Sequence, residues 1–491
     1  MTILALDQGT SSSRAILFDA ELRPLQIAAR PVTQSYPRPG EVEHNPRELL
    51  DGILSCAREV LARVPKGSVA AIGLTNQRET TILWDRASGE ALHPAIVWQD
   101  RRTAAACEAL RAAGHEDLIR ARSGLLADPY FSAGKLSWLL DHLPGARARA
   151  EAGELCFGTV DSWLIRHLTA GRLHVTDATN AARTGLFNIH TQRWDEALCA
   201  LWRIPMALLP EVRDSAGDFG VTDVAALGQA LPIRGVAGDQ QAAAMGQGCF
   251  APGQIKSTYG TGCFVLLNTG AQAVQSRHRL LTTVAARLRG EVSYALEGAI
   301  FVAGAAVQWL RDGPGLIARP EELEALAALA DPADGTLLVP AFSGLGAPWW
   351  SPDSRGALLG LSARSGRAEI ARAVLQSAGY QTRDLIGAMQ ADWPGGADMV
   401  LRVDGGMATS DAVVQFIADI LGAPVDRAEV TEATARGVAW LAAWASDLAP
   451  GPQEFARSWQ AGRRFEPQMD PAIRAARYAR WQKAVAATLA F

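Results

Sequence analysis

The sequence predicts an α/β protein of two lobes, and three observations predict it. At 491 residues the chain is too long for one ordinary core, so two or more domains are expected. Near its start, residues 3–6 and 15–18 are short apolar runs that read as buried strands, joined by Asp7-Gln8-Gly9-Thr10-Ser11-Ser12-Ser13-Arg14. The same order returns where the second half opens: a strand over 255–259, the turn Gly260-Thr261-Gly262, and a second strand over 264–267. Two such hairpins facing one another suit a nucleotide held between lobes. The halves divide as 1–245 and 246–491, and with no low-complexity linker between them they are expected to pack together and hinge.

The first turn carries a carboxylate, one glycine, four hydroxyls and a guanidinium. Glycine lets a phosphate approach the backbone, and exposed N–H groups with hydroxyls ring its oxygens. The carboxylate repels phosphate and is suited to orient Mg²⁺ through water. A plain Ser/Thr-rich hairpin turn has the same composition, and the turn alone does not separate the two readings. Next come a loop over 36–46, where three prolines and Gly40 exclude regular structure, and a helical pattern over 47–63. Strands are expected at 69–75, at 80–85, and at 232–238, the last ending in glycine just before Asp239.

In the second half, residues 319–330 read as a surface helix. Residues 367–390 read as a long amphipathic helix with Ile370, Val374, Ala378, Leu385 and Met389 inward. A strand over 400–403 runs into Asp404-Gly405-Gly406. The helix after it carries apolar Val413, Phe416, Ile417, Ile420 and Leu421, and Gly422 ends it. Glycines between a strand and a helix N-terminus suit a ligand lying close to the backbone.

Composition narrows the function classes. A hydrophobic fraction of 48% with 20% charged residues is globular rather than disordered. The net charge of −4 and the lack of a dense Lys/Arg run give no footprint for nucleic acid or an anionic membrane. Six scattered cysteines without C-x-x-C spacing read as reduced, mostly buried thiols, and the eight histidines form no metal pair at helical spacing. The chain begins on a strand, leaving no room for a signal peptide, and its most apolar segment, 295–310, is interrupted by Glu297 and Gln308. A cytoplasmic protein with no membrane insertion is expected.

Three places carry candidate chemistry. Thr75-Asn76-Gln77-Arg78-Glu79-Thr80 follows a strand. On a strand Arg78 and Glu79 point to opposite faces; on a turn both can face one pocket and meet the hydroxyls of a polyol. A surface ion-pairing loop is the other reading. Asp239 is placed to accept a hydroxyl proton during attack on a phosphoryl group, or simply to cap the helix after it. Trp98 and Phe264 suit either an aliphatic substrate wall or the core.

Taken in order, the motifs ALDQGTSSSR, VEHNP, IGLTNQRETT, AIVWQDRRT, DPYFSAGK, FGTVDSWLI, TNAARTGLFNIH, AGDQQAA, STYGTGCF, YALEGAIFVAGA, FSGLGAPWW, YQTRD and RVDGG resemble the FGGY carbohydrate kinases, spanning residues 3–485. Within that family QRET resembles the members acting on glycerol rather than on pentuloses or gluconate. The resemblance implies the actin/Hsp70/hexokinase-like ATPase fold, two ribonuclease H-like lobes with a cleft between them. It implies ATP as phosphoryl donor, Mg²⁺ as its ion, glycerol as acceptor, and sn-glycerol 3-phosphate and ADP as products. Arg78, Glu79, Tyr130, Asp239 and Gln240 would hold the glycerol hydroxyls, Trp98 and Phe264 would line its carbons, and Asp239 would be the general base. Asp7 would organise Mg²⁺ together with Asp239. Thr10, Ser11, Ser12, Ser13 and Arg14 would meet the nucleotide phosphates with Thr261 and Gly262, and Gly405 and Gly406 would lie against the nucleotide. A homo-oligomer, dimer or tetramer, is implied as well. Kinases of erythritol or dihydroxyacetone share this ATP machinery; an actin- or Hsp70-like nucleotide switch does not need the four polar residues together.

Two positions depart from the family pattern. Ser410 stands where relatives usually carry Asn, and Arg436 replaces an apolar residue. In some bacterial relatives a Gly/Arg loop before the base confers inhibition by fructose 1,6-bisphosphate. Here it reads Gly228-Gln229-Ala230-Leu231, without the arginine, so weak or absent inhibition is expected.

Overall fold

The computed structural model describes residues 1–395, 399–430 and 432–491. The first half forms a five-stranded sheet in the order Ile233–Gly238, Val69–Asn76, Thr2–Gln8, Ser12–Phe18, Pro24–Pro31. Its first three strands run parallel, and the other two follow as antiparallel hairpin partners. The second half forms a seven-stranded sheet: Leu281–Leu288, Glu291–Ile300, Cys263–Gly270, Ile255–Tyr259, Leu401–Asp404, Val425–Ala428, Ala461–Phe465.

The opening strand of each half occupies the same place. Thr2–Gln8 lies between its antiparallel hairpin mate and a parallel strand with a second parallel strand beyond, and Ile255–Tyr259 repeats this arrangement. The faint repeat in sequence is therefore a repeat in topology.

Alternation along the first hairpin feeds two cores at once. Leu4, Leu6, Ala15 and Leu17 pack with Leu49, Ile53, Ala57 and Val60 of the helix Pro46–Leu61. That helix starts where it does because Asn45 accepts from the Arg47 N–H and Pro46 sits in the first turn, where a missing N–H costs nothing. Each buried Leu, Ile or Val among them contributes roughly 1.5–3 kcal/mol.

On the other face Ile3, Ala5, Ile16 and Phe18 pack with Val438, Ala439 and Trp440 of the helix Ala433–Trp444, which comes from the second half of the chain. Glycines let it sit at backbone distance: a Cβ on Gly73 would collide with the Val438 carbonyl, and one on Gly437 with the Ala242 carbonyl. Arg436 also gains a reason here. It donates to the Gly246 carbonyl at 3.3 Å and lies over the Phe455 ring at 5.0 Å, covering the end of the helix Asp239–Gly246.

Several boundaries differ from expectation. The 36–46 segment is not wholly irregular: Glu43–His44 pairs with Ala95–Ile96, since the N–H groups between Pro39 and Pro46 are free to pair. Pro46 itself opens the helix, which ends at Leu61 rather than 63, and the strand expected at 80–85 begins at Ile82. The surface helix shrinks to Glu322–Ala327, with Leu323 and Ala327 buried. The long helix is Arg367–Asp392; Val374, Ala378, Leu385 and Met389 face inward as expected, while Ile370 is only half-buried. All six cysteines are buried and unpaired. Among the described residues no helix is long and apolar enough to cross a membrane.

Candidate active site

The carboxyl ends of the three parallel first-lobe strands share one row, Gln8, Asn76 and Gly238. The residues that follow, Gly9, Gln77 to Glu79, and Asp239, all emerge there. In the second lobe Thr258 and Asp404 are paired at the ends of their strands, and Gly260 and Gly405 come just after. Ligands of α/β sheets lie beyond such strand ends, and the two sets face one another.

Between them a cavity of about 250 Å³ is lined by Arg78, Glu79, Trp98, Tyr130, Asp239, Gln240 and Phe264, with Thr10, Ser11, Thr261 and Gly262 also on its wall. Arg78 and Glu79 can both face it because they sit on a turn. The Thr80 N–H donates to the Arg78 carbonyl at 2.7 Å, and Glu79 adopts φ +60°. That backbone is unfavourable for a non-glycine residue, and such strain collects at functional sites.

A buried ion network fixes the polar groups. Arg78 grips Glu297 with two bonds of 2.7 and 2.8 Å, and its Nε lies 3.3 Å from Asp239 Oδ1. Arg183 donates to Glu79 at 2.7 Å and to Glu297 at 2.9 Å. Burial raises the Glu297 carboxyl, but Arg183 and Arg78 outweigh it and hold the group at about 2. Burial lowers Arg78, yet Glu297 and Glu79 keep it well above its usual value.

Asp239 goes the other way. Burial pushes it up to about 6, against Arg78 and with help from the like charges of Glu79 and Asp7. It keeps 28% of its side chain open to the cleft, so it is the most open of the network residues on the cavity wall. It is the first residue of its helix rather than the cap, which is Gly238, though Oδ1 still accepts from the Gln240 N–H at 2.7 Å.

Three aromatic rings close the walls. Trp98 meets Tyr130 and Phe264 edge-on at 5.7 and 5.8 Å, and its Nε1 donates to Thr10 Oγ1 at 2.9 Å. Burial holds the Tyr130 phenol far above its usual pKa, so it remains an O–H donor.

The opening turn is tighter than its sequence suggests. The Gly9 N–H donates to the Ser12 carbonyl at 2.9 Å, so Ser12, Ser13 and Arg14 belong to the second strand. Ser13 turns inward to Gln8 at 2.8 Å. Arg14 is held by Asp7 and by Glu432 at 2.7 Å, and Asp7 is its largest raising influence. Thr10 and Ser11 are left facing the cleft.

A second cavity of about 510 Å³ is bounded by Tyr259, Gly260, Thr261, Gly304, Gly406 and Ser410 among others. Gly260 and Thr261 line both cavities, so the second hairpin turn is the wall between them. Gly405 has φ +92°, and a Cβ there would strike the Tyr259 backbone. Ser410 caps the helix Asp411–Leu421 by accepting from the Val413 N–H at 3.3 Å, and it donates to Glu324 at 2.7 Å. These two bonds use its one O–H donor and one of its two acceptor lone pairs.

The residues suit Mg²⁺ as a nucleotide-borne ion. Asp7 and Asp239 lie close enough for the charge of one to raise the other. Among the described residues no group of three or more His, Cys, Asp or Glu forms a cage. Mg²⁺ keeps several waters and takes few protein carboxylates, so a pair is an adequate donor set.

Glu297 and Arg183 were not identified from sequence, although both lie within the family-like motifs. Glu297 did leave a signal, as a lone carboxylate interrupting an apolar run. Buried charges need partners, so such an interruption asks for a cation.

Residues 2–246 match the N-terminal domain, and residues 255–446 the C-terminal domain, of the FGGY family of carbohydrate kinases. The glycerol kinase of Cereibacter sphaeroides is 61% identical over 489 residues, covering 99% of each chain. That of Methylobacterium nodulans is 59% identical, covering 99% of this chain and 98% of the relative. The crystal structure of Plasmodium falciparum glycerol kinase with ADP superposes with a TM-score of 0.91 at 34% identity, covering 99% of this chain and 98% of that one. A gluconate kinase from Lactobacillus acidophilus shares the fold, with a TM-score of 0.89 at 21% identity over 100% of this chain and 98% of that chain. With both domains matched in order and near-full-length relatives at this identity, the chain belongs to the FGGY family of carbohydrate kinases.

Proposed function

We propose that the protein transfers the γ-phosphoryl group of ATP to glycerol, releasing ADP and sn-glycerol 3-phosphate. The observation that carries this reading is the 250 Å³ cavity, which gathers every polar and aromatic residue assigned to glycerol and adjoins a separate, glycine-walled nucleotide cavity. Arg78, Glu79, Tyr130 and Gln240 hold the hydroxyls, while Trp98 and Phe264 cover the carbon skeleton.

Asp239 is the base. With its pKa near 6 it is mostly ionised at neutral pH and basic enough to take the hydroxyl proton as the oxygen attacks phosphorus. Arg78, locked by Glu297, keeps that carboxylate aimed at the acceptor hydroxyl. Such chemistry asks mainly for positioning and charge neutralisation. Mg²⁺, when bound with ATP, supplies charge neutralisation, and Asp7 and Asp239 are the residues suited to hold its water shell. Thr10 and Ser11 with Thr261 and Gly262 face the phosphates, and Ser12 follows them at the start of the second strand. Arg14 reaches them by leaving Glu432, while Gly405, Gly406 and Ser410 border the nucleotide.

The lobes 1–245 and 246–491 close on the two substrates and expel water that would otherwise accept the phosphoryl group. A cytoplasmic location and a homodimer or homotetramer belong to the same reading. A coupled assay of ADP release tests it: release must depend on glycerol, and kcat/KM for glycerol must exceed those for erythritol and dihydroxyacetone. Polyol-independent ATP hydrolysis would refute it.

A further inference from the structure

Lys256 is fully buried and has no part in the chemistry described so far. It lies on Ile255–Tyr259, the opening strand of the second lobe, and reaches the helix that begins at Asp239. Its Nζ donates to Gln240 Oε1 at 2.6 Å and to Thr258 Oγ1 at 3.0 Å. Asp404 is its strongest opposite charge, followed by Asp239. Asp404 immediately precedes Gly405 and Gly406, and it also accepts from Gln247 Nε2 at 2.7 Å. One ammonium therefore ties a residue lining the glycerol cavity to the strand that runs into the turn between the cavities.

The consequence falls on Gln240. A carboxamide has an acceptor end and a donor end, and an ammonium only donates. Lys256 thus occupies Oε1 and fixes which way the amide is turned. The Nε2 group, with two N–H donors, has no protein acceptor among the described residues, and Gln240 lines the cavity. We propose that Lys256 is a positioning residue that turns the Gln240 N–H donors toward the glycerol hydroxyls, with its ammonium also held by Thr258 of its own strand.

This rests on the glycerol reading, and the two fail separately. Lys256→Met keeps the unbranched stem, one atom shorter, and removes the charge. The KM for glycerol should rise about tenfold, the order expected for a lost charge-assisted bond, while the KM for ATP stays within about twofold. Gln240→Met should give a similar rise, and the double variant should be no worse than Gln240→Met, because both act through one amide. Effects that multiply independently, or equal rises in both KM values, overturn the proposal. Lys256→Met leaves Asp404 buried without its cation, so Lys256→Met with Asp404→Asn is measured in parallel under the same criteria. A wild-type protein whose ADP release ignores glycerol refutes the glycerol reading itself. Glycerol-dependent wild-type turnover with independent variant effects refutes only the role of Lys256.

Discussion

The turn at Gly9–Ser11 and the turn at Gly260–Gly262 join equivalent strands of equivalent sheets, yet their surroundings differ in kind. Around the first-lobe strand ends stand Asp7, Arg78, Glu79 and Asp239, with Arg183 and Glu297 locking them. Around the second-lobe strand ends stand Gly260, Thr261, Gly405 and Gly406, and the buried charges Lys256 and Asp404 lie beneath them. Selecting a small polyol requires donors and acceptors held in place, and unmatched buried polar groups are costly. Accommodating phosphates requires room at the backbone and N–H groups. One topology, used twice, therefore supports two kinds of recognition, and substitutions in each lobe should separate them.

The largest effect is expected at Asp239. Asp239→Asn should lower kcat by about 10²–10⁴, the range of a lost general base, with ATP binding by calorimetry unchanged. A loss of ATP affinity of similar size would break the separation. The same variant should keep or raise Tm at neutral pH. The folded pKa near 6 lies above the unfolded value, so the ionised carboxylate opposes folding above about pH 6, and that penalty fades as the pH falls. Arg78→Met comes next. It removes the bidentate partner of Glu297, and chemical denaturation should show a loss of about 3–5 kcal/mol, with glycerol KM raised far more than ATP KM.

On the second-lobe side, Gly405→Ala forces a side chain into the Tyr259 backbone at a positive φ. Strain of about 1–3 kcal/mol should appear as a higher KM for ATP and an unchanged Kd for glycerol. In a pH profile of kcat/KM for glycerol, activity should fall as pH drops through about 6, where Asp239 takes up a proton. A flat profile down to pH 5 would remove it as base. Ser410→Ala should have the smallest effect, about 1 kcal/mol of stability from the lost cap, read as a small drop in Tm.

Much of this contrast was legible in the sequence, for physical reasons. Gly-rich turns after apolar strands, and Asp239 directly after Gly238, are local patterns, and local patterns survive in one dimension. The turn at Arg78-Glu79 was visible only as one of two options, because nothing in the residue types announces a positive φ at Glu79. Arg183 and Glu297 were not identified, since the bonds that give them meaning join residues 104 and 219 positions apart. Lys256 was hidden too: a lysine flanked by Ile255 and Ser257 announces neither its burial nor the Gln240 amide on the neighbouring helix. The resemblance of the ordered motifs, rather than any single one, brought glycerol into view.

The helix Ala433–Trp444, seated on the first-lobe sheet through Gly73, bears on how the protein is made. A ribosome that has released only the first half leaves Ile3, Ala5, Ala71 and Ala237 with only Ala242 and Met245 of the helix Asp239–Gly246 beside them. That face waits for almost two hundred further residues before its cover is synthesised. A chain severed between the halves therefore yields fragments that must find each other before this face is covered.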